Sequence, residues 1–304
     1  MNKHILITGA TGMIGKKLIE SLQKGGHSVA VLSRKPKNIP GVKLYLWDVY
    51  QHKIDQQCME GIDTVIHLAG ENIAAHKWTK KRKQQIIDSR VLSTQLLYQA
   101  IKETKASVST FISASGAAWY GDSGDEILTE ESPAGYGFMA ACCEQWEQAV
   151  DQGKKLGIRV VKFRTGMVLG KNEGALASLE KPIRFFAGAA LGSGRQWVPW
   201  LHIDDMVSMY TTAVENTLIS GAYNACAPFS VTNATLTRAI AKKLHRPVWP
   251  FNVPEKILKL ILGEMSEVIF ISTNTSAQKI LAADFKFRYT RLEDALSDIY
   301  SPQK

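Results

Sequence analysis

The stretch that most constrains this chain is its first fifteen residues, Met1 to Gly15. A short apolar run, Ile5-Leu6-Ile7, leads into Gly9-x-x-Gly12-x-x-Gly15, and an amphipathic segment follows from Lys16 to Gln23. Strand, glycine turn and helix in that order form the setting in which a glycine triplet binds a dinucleotide. Gly9 permits the tight turn off the strand, Gly12 lets the backbone approach a pyrophosphate, and Gly15 removes a Cβ where helix meets strand. Free N–H groups at the helix N-terminus then face the phosphates, where the dipole favours negative charge. The alternative, a glycine-rich turn without a ligand, is disfavoured by the strand before it and the helix after it.

Further along, apolar β-branched runs alternate with helical periodicity. The pattern predicts strands at 3–8, 28–33, 43–47, 63–68, 108–114 and 158–163, and helices at 13–25, around 54–59, at 79–104 and at 137–156. That alternation implies an α/β fold, a Rossmann-type doubly wound parallel sheet with helices on both faces. Ligands of such sheets sit at the carboxyl ends of the strands. The unusual residues gather there: Gly9 to Gly15, Ser33-Arg34, Trp47-Asp48, His67 to Glu71, Ser113 to Gly121 and Arg164-Thr165-Gly166. After residue 170 the pattern loosens. A Gly-rich segment from Gly188 to Arg195 precedes Trp197 to Asp205, and the tail from Val248 mixes Pro-bounded helix with extended chain. This predicts a dinucleotide-binding domain over 1–170, with 201–220 returning to it. A smaller, discontinuous C-terminal substrate lobe is expected from 171–200 and 221–304.

A chain of 304 residues, 45% hydrophobic, has room for both units. No segment is apolar for long enough to span a bilayer, and the N-terminus enters a strand at once, so neither a membrane partner nor a signal peptide is expected. The four cysteines, Cys58, Cys142, Cys143 and Cys226, lack metal-ligand or redox spacing. They read as reduced thiols of a cytoplasmic protein, with no metal expected. The net charge of +9 is partly local, in Lys77, Lys80, Lys81, Arg82 and Lys83, which read as a solvated helix face. Phosphate-bearing cofactors and small anionic substrates account for the remaining cations without nucleic acid.

The strand from Ser28 to Leu32 ends in Ser33-Arg34-Lys35, with no carboxylate to bind ribose hydroxyls or repel a 2′-phosphate. Arg34 offers a planar fork for that phosphate, so NADP(H) is favoured over NAD(H). The competing reading of Arg34 is a solvated loop cation. Asp48, ending the third strand, is either an acceptor for the adenine amino group or a cap for the helix expected after it.

With these residues in view, the chain resembles the extended short-chain dehydrogenase/reductases, the NAD-dependent epimerase/dehydratase group. The marks are Thr8 to Gly15, His67-Leu68-Ala69-Gly70, Ser113 to Gly121, Arg164-Thr165-Gly166 and Leu201 to Asp205. More closely it is similar to a subfamily of epimerase-like proteins of unassigned substrate, some labelled cell-division inhibitors. The closer marks are His67 to Asn72, Trp146-Glu147, Gly192 to Trp197, Trp200 to Asp205 and a C-terminal piece from Val253 to Leu296. The resemblance implies cofactor contacts from Thr8, Gly9, Thr11, Gly12, Met13, Ile14, Gly15, Ser33, Arg34, Asp48, His67, Leu68, Ala69, Gly70, Glu71, Arg90 and Arg164. It also implies a monomer or homodimer.

In the wider family a Ser or Thr orients the substrate oxygen and a Tyr acts as acid or base. A Lys four residues after the Tyr holds the ribose and lowers the Tyr pKa. The Ser position here is Ser113 or Ser115, with Ser115 the choice; Tyr136 sits at the Tyr position, and the Lys position is Ala140. An alanine supplies neither charge nor ribose hydrogen bond, so Tyr136 lacks the help that activates the family's Tyr as acid or base. The helix asparagine that supports the Lys is replaced by Arg90, which either takes over part of the electrostatic role or forms a surface ion pair. Ser113, Tyr120, Arg195 and Gln196 are the expected substrate contacts, the last two for the anionic group of a nucleotide-linked substrate. His202 and Asp205 are expected to tie the second lobe to the sheet. Glu71 is an acid/base or a structural hydrogen-bond partner. Trp119, Tyr120, Trp197 and Trp200 form either an aromatic wall over the pocket or core.

Two functions remain at this point. One is an NADP-dependent oxidoreductase or epimerase acting on a carbonyl or hydroxyl of a small or nucleotide-linked substrate, with Ser115 and Tyr136, or Tyr120 in its stead, on the substrate oxygen. The other is an NADP(H)-binding module with little or no turnover, which the missing Lys favours.

Overall fold

The computed structural model describes residues 2–301. Its centre is an eight-stranded sheet. The strands are β1 (His4–Thr8), β2 (Ser28–Ser33), β3 (Lys43–Asp48), β4 (Lys53–Ile54), β5 (Thr64–His67), β6 (Thr110–Gly116), β8 (Arg159–Thr165) and β12 (Gly221–Ala225). They lie in the order β12-β8-β6-β5-β1-β2-β3-β4, all parallel except the β3–β4 pair. The order reverses at β1: β2 and β3 continue on one side, β5, β6 and β8 on the other. The crevice outside the end of β1 is therefore the topological switch point where ligands of such sheets bind.

Helices cover both faces, which is why the central strands are apolar on both sides. Ile5 and Ile7 pack into one buried cluster with α1 (Met13–Lys24) and α5 (Ile203–Glu215). Leu6 joins the opposite cluster, with α2 (Lys80–Thr104) and α3 (Phe138–Asp151). Each such fully buried Leu or Ile side chain contributes about 1.5–3 kcal/mol of hydrophobic stabilisation. Helix α2 starts where Thr79 accepts the N–H of Arg82 at 3.1 Å.

The remaining chain forms a lobe beside the sheet. Short strands pair as β9 (Met167–Leu169) with β11 (Trp200–His202), β10 (Trp197–Val198) with β13 (Val231–Thr232), and β7 (Ile127–Leu128) with β14 (Asn274–Thr275). Around them lie α4 (Gly174–Arg184), α6 (Asn233–Lys243), α7 (Glu255–Leu262), α8 (Glu267–Phe270), α9 (Gln278–Ala282) and α10 (Leu292–Tyr300). Leu176, Trp200, Leu236, Leu292 and Leu296 form the lobe's own core.

Several expected boundaries move. Residues 221–225, expected in the smaller lobe, pair with β8 as the edge strand of the main sheet. Ala277, Ile280 and Phe285 also join the sheet's core rather than the lobe's. The helix expected around 54–59 is a short 3-10 turn, Gln56–Met59, after β4. Helix α3 ends at Asp151, and a 3-10 turn carries the chain on to Leu156. Asp205 ties the units together by accepting the N–H groups of Arg288 at 2.7 Å and Tyr289 at 3.0 Å.

Candidate cofactor cleft and catalytic region

At the switch point Gly9 adopts φ +70°, and a Cβ there would lie 2.7 Å from the carbonyl carbon of Leu68. A Cβ on Gly15 would lie 2.6 Å from the Gly9 oxygen. These two glycines let β1, β5 and α1 approach as closely as they do. Helix α1 has Gly12 as its N-cap, with no side-chain cap and no acidic residue in its first turn. Its first N–H groups thus meet no carboxylate or hydroxyl of their own, the arrangement a pyrophosphate requires.

Gly9, Thr11 and Gly12 form one wall of a cleft there. Ser33, Arg34, Trp47, Val49 and Tyr50 form the second, and Leu68, Ala69, Gly70, Glu71 and Ser89 the third. Met13 and Ile14 turn their side chains partly into the core beneath. Ser33 shapes its own turn, donating to the Lys35 carbonyl at 2.8 Å. Asp48 caps a turn rather than the expected helix: its Oδ1 accepts the N–H groups of Tyr50 at 3.0 Å and Gln51 at 3.1 Å, and the helical turn that follows is capped by Asp55.

Thr8 and His67, expected against the cofactor, are wholly buried beneath the cleft floor. Thr8 Oγ1 accepts the N–H groups of Leu68 at 3.2 Å and Ala69 at 3.1 Å and lies 2.7 Å from His67 Nδ1. His67 Nε2 lies 3.0 Å from Ser93 Oγ, whose own proton goes to the Ser89 carbonyl at 2.7 Å. Every partner is satisfied if Thr8 donates to Nδ1 and Nε2–H donates to Ser93. Burial pushes His67 down to about 3, so the imidazole is neutral. Both residues shape the loop that follows β5.

Glu71 joins two cations, accepting from Arg34 Nη1 at 2.7 Å and from Arg82 Nη1 at 3.2 Å. Burial alone would raise its carboxyl, and the two arginines hold it below the usual carboxylate range. Arg82 was expected on a solvated face but is buried. It lies four residues before the buried Ile86, on the same stripe of α2. Arg90 packs flat behind Gly70, where a Cβ would meet its Cζ at 3.0 Å. It donates to the carbonyls of Ile86 at 2.9 Å and Glu71 at 3.2 Å, and its guanidinium lies 5.2 Å from the centre of the Trp146 ring.

The catalytic region differs from expectation. Alternation along β6 puts Ser113 and Ser115 on the Phe111 side, which faces α2 and α3. Ser113 is buried and donates to the Ala114 carbonyl at 2.8 Å. Ser115 is buried and donates to Glu147 Oε1 at 2.8 Å. A hydroxyl has one proton to give, so in this arrangement Ser115 cannot also donate to a substrate oxygen. Glu147 is held by Arg164 Nε at 2.9 Å and Nη2 at 3.1 Å, and by Lys162 Nζ at 3.1 Å. Burial would raise the Glu147 carboxyl; these cations and Ser115 hold it low. Arg164, expected on the cofactor, is spent on Glu147, the Glu130 carbonyl and the Tyr120 hydroxyl, and stacks 3.9 Å from the centre of the Trp119 ring. Tyr120 in turn donates to Asn224 Oδ1 at 2.7 Å and is buried, so it offers no substrate contact.

Tyr136 is 95% exposed, on the loop before α3, and its hydroxyl has no hydrogen bond among the described residues. Ala140, expected at the Lys position, is buried in the α3 packing. Ser115 and Tyr136 are thus not brought together. Gln196 is buried and donates to the carbonyls of Leu191 at 3.0 Å and Ile269 at 3.1 Å, a structural tie rather than a substrate contact. Arg195 beside it is exposed. Trp200 and Tyr120 are core, and Trp197 donates to Asp125 at 2.7 Å, so the four aromatics do not form one wall. The second lobe reaches back over the starts of α2 and α3: Met265 packs with Trp78, Ile86 and Met139, and Lys83 pairs with Glu264.

His202, Asp204 and Asp298 cluster, but not as a metal centre. His202 Nδ1 accepts the Asp204 N–H at 3.1 Å as the N-cap of α5. The neutral ring therefore carries its proton on Nε2, facing Asp298 at 3.4 Å, and has no lone pair there for a cation. His202 and Asp205 thus do what was expected of them, joining β11 and α5 to the C-terminal segment.

Residues 5–226 match the NAD dependent epimerase/dehydratase family, and residues 253–299 match a domain of unknown function, DUF1731. The epimerase family protein YfhF of Bacillus subtilis is 36% identical over 303 residues, 99% of each chain. The epimerase family protein ML0860 of Mycobacterium leprae is 33% identical, covering 96% of this chain and 94% of its own. Among solved structures, human epimerase family protein SDR39U1, determined with NADPH, superposes with a TM-score of 0.84 at 28% identity over 98% of this chain and 99% of that one. The nucleoside-diphosphate sugar epimerase of Corynebacterium glutamicum gives 0.81 at 33% identity, covering 99% of this chain and 58% of that one. With its glycine turn, its parallel sheet and a family match running from residue 5 to 226, this chain belongs to the NAD dependent epimerase/dehydratase family.

Proposed function

We propose that the protein binds NADP(H) at the β1 switch point and works as an oxidoreductase or epimerase on a carbonyl or hydroxyl of a small, nucleotide-linked substrate. The observation that carries this is Arg34. It follows Ser33, the last residue of β2, at a place in the sequence with no carboxylate for the ribose hydroxyls, and lines the same cleft as Gly9 and Gly12. A guanidinium there suits a 2′-phosphate. The similarity to human SDR39U1, determined with NADPH, supports the same cofactor, and the similarity to a nucleoside-diphosphate sugar epimerase supports a nucleotide-linked substrate. When bound, the nicotinamide supplies hydride transfer. The chain's part is to seat the pyrophosphate on the N-terminus of α1, to hold the 2′-phosphate with Arg34, and to back the ring side of the cleft with the Gly70 loop braced by Arg90. Among the described residues no helix is long and apolar enough to cross a membrane.

A second reading, an NADP(H)-binding protein with little turnover, is favoured by Ala140 and by the separation of Ser115 from Tyr136. Both readings are tested by following NADPH oxidation with a panel of carbonyls and nucleotide sugars. Turnover on one of them supports the enzyme. Saturable NADPH binding with no turnover across the panel favours the second reading.

A further inference from the structure

A chain of three charges bridges the cleft from one wall to the other. Arg34, on the loop after β2, bonds one oxygen of Glu71 at 2.7 Å, and Arg82, in the first turn of α2, bonds the other at 3.2 Å. β2 and β5 flank β1 on either side. Arg34 and Glu71 thus meet across the end of the strand that carries the glycine turn.

The two arginines are not equivalent. The Arg82 side chain is 9% exposed and Arg34 69%. Arg82 also donates from Nη2 to the Asn72 carbonyl at 2.6 Å, which fixes the inner end of the bridge. Arg34 has no such packing, and among the described residues Glu71 is its one side-chain partner. A guanidinium carries five N–H donors. Arg34 spends an Nη1 donor on Glu71 and keeps its Nε–Nη2 edge, the edge that grips a phosphate bidentately.

We propose that Glu71 is the positioning residue of the 2′-phosphate site: anchored by Arg82, it holds the Arg34 guanidinium over the cleft with its free edge turned to the phosphate. This rests on the NADP(H) reading above. Arg82 decides the sign of the effect. A lone carboxylate beside the site would repel a phosphate, but this one lies between two guanidiniums, and the trio remains net positive. Choice between the two nicotinamide cofactors then belongs to the Arg34–Glu71–Arg82 relay, not to Arg34 alone.

The test is titration of NADPH and NADH into the wild type, Glu71→Ala, Glu71→Gln and Arg34→Asp, with the melting temperature of each. Glu71→Ala is expected to weaken NADPH roughly three- to tenfold, the worth of ordering one long side chain in advance, and to leave NADH within about twofold. Glu71→Gln keeps an acceptor for Arg34 without the charge and is expected to fall between wild type and Ala. If Glu71→Ala melts early because Arg82 has lost its partner, Glu71→Gln carries the test. Tighter NADPH binding in either variant would mean that Glu71 competes with the phosphate, and it overturns the proposal. Equal losses for both cofactors, or no loss, overturn it as well. Arg34→Asp keeps the two readings apart. Without an NADPH-selective loss there, the NADP(H) reading itself fails; with one there and unchanged Glu71 variants, only the role of Glu71 fails.

Discussion

The two ends of this site use polar groups in opposite ways. Around the β1 turn, backbone N–H groups of α1 are left without side-chain caps, and Gly9 and Gly15 keep side chains out of the close contacts. Around the end of β6 the polar side chains are spent on one another: Ser115 on Glu147, Glu147 on Arg164 and Lys162, Arg164 on Tyr120, and Tyr120 on Asn224. Binding a dinucleotide relies chiefly on backbone, so it survives many side-chain changes as long as the glycines stay. Proton transfer relies on a few side chains, so a single exchange among them removes a group it needs.

The contrast breaks most visibly at Glu147. Glu147→Ala leaves Arg164 buried without its carboxylate and Lys162 with Asp151 alone, and is expected to cost about 3–5 kcal/mol, read by denaturant unfolding. A folded Glu147→Ala with wild-type stability would mean that the β6 end is not a packed charge cluster. The same carboxyl is held below its ordinary value in the fold. Its contribution is therefore present above the ordinary Glu pKa of about 4.3 and is lost as pH falls through the lower folded-state value. Acid unfolding of Glu147→Gln should accordingly be less steep than that of the wild type. Next in size is Ser115→Ala, which removes a buried hydrogen bond to a charged group and is expected to cost about 1.5–3 kcal/mol while leaving NADPH affinity unchanged. A large fall in turnover with little loss of stability would instead return Ser115 to the catalytic machinery. The smallest effect belongs to Tyr136→Phe. The side chain is 95% exposed, so stability should stay within about 0.5 kcal/mol, and any turnover found should persist. Loss of turnover in Tyr136→Phe would show that the loop before α3 brings this hydroxyl to the substrate.

Much of the cofactor end could be read from the chain because its signals are local. Gly9, Gly12 and Gly15 lie between one strand and one helix, and Arg34 comes directly after another strand. The edge strand β12 was missed because Gly221 to Ala225 lacks the β-branched run that marks β2 or β8. The commitments of the catalytic residues are tertiary. That Ser113 and Ser115 share a face is set by the alternation of β6, but the cover on that face depends on α3, which contributes Glu147 from a segment more than thirty residues away. Arg164 pairs with that same Glu147, which a strand pattern does not reveal. Arg82 could have been found: it stands one helical turn before Ile86, and a charge on an apolar stripe needs a partner. The basic residues around it hid that position.

The proposed NADP(H) site at β1, with its preference set just after β2, stands or falls on the dissociation constants of NADPH and NADH for the wild type and Arg34→Asp. The wild type is expected to prefer NADPH. Arg34→Asp is expected to lose about ten- to a hundredfold in NADPH affinity, the worth of a charged hydrogen-bonded contact, with NADH little changed. Equal affinity of the wild type for both cofactors, or an equal loss of both in the variant, would contradict it.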